Sequence, residues 1–483
     1  MSNIDLSSLP RDLILIGDRR VEGGGERVTR HYAGTGAALR DVRMGSIADL
    51  DAAVERARGA FVKWRTVPPT DRRDMMLRAA ALLRERIDRL AQLAAIDIGL
   101  AVQNTGWFIA HAAEWLTYYA GWVDKAAGSV VPTPDGSFDF IRHEPYGVVG
   151  VISPSNSSVS AMILAPLLAA GNCAVIKPSE FASMLTLEYL QVFLDAGMPA
   201  GVVNAVPGGP DVGEALVTHA GIDKIHFTGS CHVGARVSAL ASAKLKPSAL
   251  ELGGKSCNIV FPDADLEIAA SIAMRAMVRQ SGQSCVAGTR IVVHESIAER
   301  LLARTIELTK TQKVGDPLLR DTAMGPLVSA AARDRVMGVI ERARRDGDGR
   351  VALGGDAPGG ELASGYYINP TIFANVDNRS PLAQQETFGP VISFITFRTD
   401  DEAVALANDS PYGLAAYVQT ANLRRAHEVS AQLEVGTIWV NGAVGILPGG
   451  PFGGAKESGF GRVGGIEGLR EFTKAKNIWM GLV

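Results

Sequence analysis

Short apolar runs alternate with amphipathic stretches along most of this chain, and each change of period marks an element. Residues 148–152, 173–177, 202–205, 222–227 and 249–252 are apolar on both faces and are separated by segments of helical period. Runs of that kind describe a parallel sheet covered by helices on both sides, a doubly wound α/β layer. Upstream, Met76, Ala80, Leu83, Ile87, Leu90 and Ala94 recur at spacings of four and three. One amphipathic helix is therefore expected, with Arg84, Glu85 and Asp88 on its wet side. A second helix is expected over 107–125, where Trp and Tyr side chains suit core packing. Residues 10–36 suit edge strands and turns, and 137–142 alternate like a strand with one exposed face. Beyond Gly253 a second series begins, with strands over 256–261 and 290–294 and helices over 266–280 and 297–311. Residues 342–360 are charged and glycine-rich, as in a surface loop, and the tail over 465–483 alternates.

Composition narrows the class. At 483 residues and 47% hydrophobic content the chain exceeds one ordinary core, so two or three domains are expected. Net charge is −3 with Lys and Arg dispersed, which argues against nucleic acid or an anionic membrane and favours a small-molecule enzyme. No stretch approaches the roughly 18 apolar residues that span a bilayer, and the first ten residues lack a basic region followed by an apolar run. The expectation is a cytoplasmic protein. Cys173, Cys231, Cys257 and Cys285 form no C-x-x-C pair, and the eight histidines form no H-x-x-x-H arrangement. Neither a metal site nor a disulfide framework is expected.

Candidate chemistry collects at strand ends, because ligands of a doubly wound sheet sit beyond the carboxyl ends of its strands. Those ends carry Ser153-Pro154-Ser155-Asn156, Lys177-Pro178-Ser179-Glu180, Gly208-Gly209, Thr228-Gly229-Ser230 and Glu251. Gly229-Ser230 opens a predicted helix, where unpaired N–H groups favour phosphate. Lys177 and Glu180 flank another helix start, suited to ribose hydroxyls. The usual G-x-G-x-x-G fingerprint is absent, so the residues by themselves support a nucleotide cofactor held by a variant loop. Further along, Glu251 precedes Gly253-Gly254-Lys255, and Cys285 lies between Gly282 and Gly288. A thiolate is a strong nucleophile once a positive field lowers its pKa, and a nearby carboxylate activates water against what it captures.

Together these motifs resemble the aldehyde dehydrogenase superfamily. They are Phe227-Thr228-Gly229-Ser230, Leu250-Glu251-Leu252-Gly253-Gly254-Lys255, Gly282-Gln283-Ser284-Cys285, Glu386-Thr387-Phe388-Gly389-Pro390 and Pro451-Phe452-Gly453-Gly454-Ala455-Lys456-Glu457-Ser458-Gly459. The likeness covers nearly the whole chain from about residue 30. It implies a Rossmann-type cofactor domain (1–128 and 148–252), an α/β catalytic domain (253–440) and a small oligomerisation β-sheet (129–147 and 463–483) that joins a homodimer or homotetramer. By this resemblance Cys285 attacks an aldehyde, Asn156 and the Cys285 N–H hold the oxyanion, hydride passes to NAD, and Glu251 activates water to hydrolyse the thioester. Cofactor contacts would come from Ile152, Lys177, Ser179, Glu180, Gly209, Phe227, Gly229, Ser230, Val233, Leu252, Glu386 and Phe388. Glu180 favours NAD over NADP by accepting from a free ribose 2′-hydroxyl and repelling a 2′-phosphate, with NADP possible if Lys177 pairs with that phosphate.

The substrate side departs from the family pattern. Ser155 and Ser157 flank Asn156 where Trp and Phe are frequent, and Val463 follows Gly461-Arg462 where the family often has a glutamate proposed as a proton relay. Arg279 stands six residues before Cys285, as in enzymes of carboxylate-bearing semialdehydes, whereas the second arginine of those enzymes is replaced by Leu164. The expected substrate contacts are Arg279, Ser157 and Phe452, with an anionic semialdehyde as the alternative. A coenzyme A-dependent enzyme would have little need of Glu251. A cysteine hydrolase without a redox cofactor would need a histidine at Cys285, and no motif links His226 or His294 to it.

Overall fold

The computed structural model describes residues 4–11, 13–157, 161–442 and 445–481. Its largest sheet has eight strands. The five runs predicted as parallel strands are at its centre, as Val203–Ala205, Cys173–Lys177, Val148–Ile152, Lys224–Thr228 and Ser248–Glu251 in spatial order. Val148–Ile152 and Cys173–Lys177 are buried along their whole length, as strands covered on both faces must be. Ile14–Ile16 and Arg19–Val21 extend one edge antiparallel, and Gly459–Phe460 closes the other.

The second sheet has seven strands, with Arg290–His294 and Cys257–Val260 at its middle. Six of the seven run parallel, and Arg350–Leu353 is the antiparallel edge. Five residues separate Glu251, which ends a strand of the first sheet, from Cys257, which begins a strand of the second. The carboxyl edge of one sheet therefore meets the amino edge of the other. A third, three-stranded sheet joins Ser129–Val131, Phe138–Pro145 and Thr473–Met480.

Four expectations change. The apolar stripe from Met76 to Ala94 is carried by two helices, Pro69–Glu85 and Ile87–Ile98, because Arg86 leaves helical geometry at φ −100°, ψ 12°. Apolar periodicity continues across such a break and cannot reveal it. The aromatic helix runs over Val102–Ala120, five residues earlier than expected. Residues 342–360 are not one loop: the helix Ala330–Asp346 runs into them and Arg350–Leu353 forms the sheet edge. The tail also begins with a helix, Gly465–Glu471, before its strand.

Candidate active site

The central strands are ordered 3-2-1-4-5 in chain sequence, reversing direction between Val148–Ile152 and Lys224–Thr228. That switch point opens a crevice at the strands' carboxyl ends. Backbone register gathers the predicted residues around it: Ile152 pairs with Lys177 on one side and Phe227 on the other, and Thr228 pairs with Glu251. Ser179 Oγ caps the turn Glu180–Ala182 by accepting from the Phe181 N–H at 3.3 Å, and donates to Glu180 Oε2 at 3.3 Å. Lys177 is buried, with Nζ 3.4 Å from the Pro178 carbonyl; burial lowers its pKa, against the charges of Glu180 and Asp211.

Two helices point their N-termini into this region. Gly209 caps Pro210–Thr218, and Ser230 caps Cys231–Ser242 by accepting from the Val233 N–H at 3.4 Å. Val233 is exposed, and Leu252 is buried against Gly234, where a Cβ would fall on its side chain. Gly229 donates its N–H to the Glu251 carbonyl at 3.1 Å, and a Cβ there would come within 2.5 Å of the Phe227 ring. Ser153 Oγ, Thr228 Oγ1 and Glu251 Oε2 are buried without a hydrogen-bond partner among the described residues. Buried polar atoms normally find partners, so three orphans around a crevice with two helix N-termini and an ammonium fit a phosphate-bearing dinucleotide.

Cys285 lies at the amino edge of the second sheet, in the loop before Arg290–His294. After the helix Leu266–Val278 the chain turns through three successive left-handed residues, Gln280, Ser281 and Gly282, with φ of 52°, 55° and 72°. Gly282 is required twice over, since a Cβ would also strike the Gly389 carbonyl. Ser281 Oγ donates to the Gly325 carbonyl at 2.7 Å, Gln283 Oε1 accepts from the Val328 N–H at 3.1 Å, and Tyr417 donates to the Val286 carbonyl at 2.9 Å. These contacts pin the loop on both sides of the sulfur.

Asn156 ties this loop to the first sheet. Its Nδ2 donates to the Gln283 carbonyl at 2.8 Å, and its own carbonyl accepts from Gln280 Nε2 at 3.1 Å. Glu386 reaches in from the loop before Val391–Phe397, accepting from the Gly254 N–H at 3.1 Å. The pair Gly253-Gly254 passes between these groups: a Cβ on Gly253 would overlap the Glu386 carboxylate, and one on Gly254 would lie 2.6 Å from the Cys285 carbonyl oxygen. Phe388 holds φ at 50°, and Arg335 donates to the Thr387 carbonyl at 2.6 Å.

Electrostatics here differ from the expected positive field. Burial pushes the Cys285 thiol up to about 12, and the charges of Glu386 and Glu251 add to it. Glu251 is raised well above the carboxylate range by burial and by Glu471, against Arg462. Glu386 is raised by burial, with the Gly254 N–H, Lys255 and Arg335 opposing. Burial, with Arg290, brings Lys255 down to about 7. In the protein alone, thiol and acids thus lean towards their neutral forms.

The three substrate candidates have different surroundings, two of which share Phe108. Ser157 and Asn156 line an apolar cavity of about 50 Å³ with Leu90, Ile98, Phe108 and Ile109. Arg279 lines a different one of about 40 Å³ with Ser284 and Tyr417, its guanidinium 4.5 Å from the Trp107 ring centre and 4.9 Å from that of Phe108. Phe452 is buried and pairs through its backbone with Val463, at 2.6 and 2.8 Å. Leu164 is fully buried. His226, one histidine of the hydrolase alternative, is buried in the first sheet against Phe472, and burial lowers its pKa to about 3. Sequence reasoning missed Gln280, whose left-handed backbone no residue-type preference signals, and gave no role to Ser458 within its motif. The Ser458 hydroxyl donates to the Gly253 carbonyl at 2.7 Å and accepts from the Gly413 N–H at 3.0 Å.

A crevice fitted to a dinucleotide, with a half-buried thiol and two carboxylates acting on it, defines a nucleotide-binding α/β protein with a candidate nucleophile. Comparison with known proteins specifies which kind. The Aldehyde dehydrogenase family model matches residues 21–478. The Bacillus subtilis (strain 168) protein named "Putative aldehyde dehydrogenase DhaS" is 38% identical over 454 residues, covering 93% of this chain and 91% of its own. PnpE from Pseudomonas sp. WBC-3 is 37% identical at TM-score 0.95, with 98% of each chain covered, and has been solved in complex with nicotinamide adenine dinucleotide. The P. syringae indole-3-acetaldehyde dehydrogenase AldA, solved as a mutant in complex with NAD+ and IAA, is 37% identical at TM-score 0.95, with 99% of this chain and 98% of that chain covered. The chain belongs to the aldehyde dehydrogenase family, and its reaction is the oxidation of an aldehyde to the carboxylic acid.

Proposed function

We propose that Cys285 is the nucleophile of an NAD-dependent aldehyde oxidation, with Asn156 as oxyanion donor and Glu251 as the base for hydrolysis. The observation that carries this reading is the meeting of the two sheet edges, which sets Glu251 and Cys285 within each other's electrostatic field. The Cys285 thiol gives its proton to the ionised Glu251 carboxylate as its sulfur adds to the aldehyde carbon, that proton then passes to solvent, and the oxygen that becomes negative is held by the Cys285 N–H and by Asn156. One N–H of the Asn156 amide is engaged by Gln283, leaving the second for the oxyanion. NAD+ when bound supplies the hydride acceptor and a cationic ring. Glu251, in the ionised form that the Arg462 charge favours, then takes a proton at Oε2, an atom without a partner among the described residues, from the water that attacks the thioester, and the departing sulfur is reprotonated.

Lys177, Ser179 and Glu180 would hold the adenosine ribose, with Ile152 and Phe227 beside the crevice. Gly209, Gly229, Ser230 and Val233 would hold the pyrophosphate at the two helix N-termini, with Leu252, Glu386 and Phe388 at the nicotinamide end. Support for NAD over NADP is Glu180, whose carboxylate flanks a buried lysine at the ribose end. Domain roles follow the sheets: 1–128 with 148–252 for cofactor, 253–440 for catalysis, 129–147 and 463–483 for assembly. A homodimer or homotetramer is supported by the exposure of Val130, Phe138, Trp479 and Met480 on the small sheet. A cytoplasmic location is supported by four cysteines that are all free thiols.

The test is reduced-cofactor absorbance with a simple aldehyde, NAD+ or NADP+, and the wild-type and Cys285→Ser proteins. The wild type should show a higher kcat/KM with NAD+, and the variant should be inactive. Ordinary turnover by Cys285→Ser would end the proposal.

A further inference from the structure

The turn that carries Glu180 leads into the helix Ser183–Asp195, whose preceding residue, Ala182, has no side chain able to cap it. A helix start of that kind leaves backbone N–H groups to be met from elsewhere in the fold. Asp97, one residue from the end of the helix Ile87–Ile98, meets one of them: its Oδ2 accepts from the Leu185 N–H at 2.9 Å, across 88 residues of sequence. The Ser183 hydroxyl donates to the Glu180 carbonyl at 3.1 Å, so the turn and the helix start are tied together.

The other oxygen of Asp97 holds Arg30, from the strand Arg27–His31. Arg30 Nη2 donates to Asp97 Oδ1 at 2.6 Å, to the Phe181 carbonyl at 2.7 Å and to the Asp97 carbonyl at 3.3 Å, and Nη1 donates to the Glu180 carbonyl. One guanidinium thus gathers a carboxylate and the carbonyls of both Glu180 and Phe181, with the Phe181 ring centre 5.8 Å away. The Arg30 and Asp97 side chains are 4% and 0% exposed. A buried ion pair adds little net stability over a well-packed apolar pair, and its best-attested use is to fix a register or geometry. What this pair fixes is the backbone from which the Glu180 carboxylate projects.

We propose that Arg30 and Asp97 are positioning residues for cofactor choice: they hold the Glu180–Phe181 backbone so that the Glu180 carboxylate meets a free ribose 2′-hydroxyl and repels a 2′-phosphate. This rests on Glu180 lying at the adenosine ribose. Both residues are sealed from solvent and act through the carbonyls they hold. Without Arg30, two successive carbonyls lose a charged donor, the Glu180 carboxylate is free to swing aside, and Lys177 is left to attract a 2′-phosphate.

Calorimetric binding of adenosine 5′-monophosphate and adenosine 2′,5′-bisphosphate to the full chain tests this, because the two differ by the 2′-phosphate alone. The wild type should favour the monophosphate. The double variant Arg30→Met/Asp97→Asn leaves no unpaired buried charge and keeps an oxygen for the Leu185 N–H. Its preference should fall on the order of tenfold, as for one lost charge-assisted hydrogen bond, and in turnover KM for NAD+ should rise while kcat is kept. Arg30→Lys keeps the charge beside Asp97 without the fork that reaches two carbonyls, so its loss should be smaller, about threefold. That variant carries the test alone if thermal unfolding shows the double variant too unstable to assay. General loosening of the fold would weaken both nucleotides alike, and a ratio unmoved in a folded variant overturns the proposal. Glu180→Gln separates the two readings: if it moves the ratio and the Arg30 variants do not, the pair alone is dismissed, whereas a ratio that Glu180→Gln leaves unmoved takes Glu180 away from the ribose and the proposal with it.

Discussion

Cys285 meets its surroundings as a neutral thiol, because burial and two carboxylates outweigh the backbone N–H groups of Cys285 and Val286. Alkylation of the cofactor-free protein should therefore be slow near pH 8 and accelerate only well above it, towards about 12. The sign for a variant follows directly: Glu386→Gln removes an anion that disfavours the thiolate, so its alkylation should begin at lower pH. Rates measured over a pH series check this, and an unshifted onset would show that Glu386 does not act on the sulfur. Asn156 provides a second test. Its amide joins the first sheet to the nucleophile loop, so Asn156→Ala should lose about 10² to 10³ in turnover, the usual effect of removing one oxyanion donor. Undiminished turnover in a folded protein would dismiss Asn156 from the reaction.

Among the elements, the nucleophile loop depends on backbone shape more than on side-chain chemistry. Three consecutive left-handed residues turn the chain back after Leu266–Val278, and Gly282 packs its bare Cα against the Gly389 carbonyl. Gly282→Ala should cost on the order of 1–3 kcal/mol from the backbone strain alone. It should also push the loop away from the strand Val391–Phe397, so activity falls further than stability. A thermal melt beside a kinetic assay separates the two, and a variant that melts and turns over like wild type would refute the packing argument. Glycine spacing around Cys285 was legible in the sequence, and so were most strands, because a strand buried on both faces leaves a continuous apolar run. The break at Arg86 was not legible, since the helices on either side keep the same buried face.

At the level of the whole molecule, the three-stranded sheet leaves large apolar side chains exposed. Trp479 and Met480 are each 52% exposed, and Phe138 is 49% exposed on the neighbouring strand. Thr473–Met480 pairs with all eight residues of Phe138–Pro145, so the sheet itself is complete without a second copy. Its exposed apolar side chains suit the subunit contact proposed above. Light scattering of the double variant Phe138→Glu/Trp479→Glu should find a smaller species than the wild type with a similar melt of the two large sheets. An unchanged assembly would move the contact elsewhere.

Local pattern by itself determined most strands of the two large sheets and the doubly wound class, because burial on both faces leaves its mark within a few residues. Only tertiary structure decided the charge state of the Cys285 thiol, the stacking of Arg279 on Trp107 and Phe108, and the return of Glu471 to Arg462. Fields and cavities are sums over groups from distant segments: Glu471 lies 220 residues beyond Glu251, and no spacing rule links them.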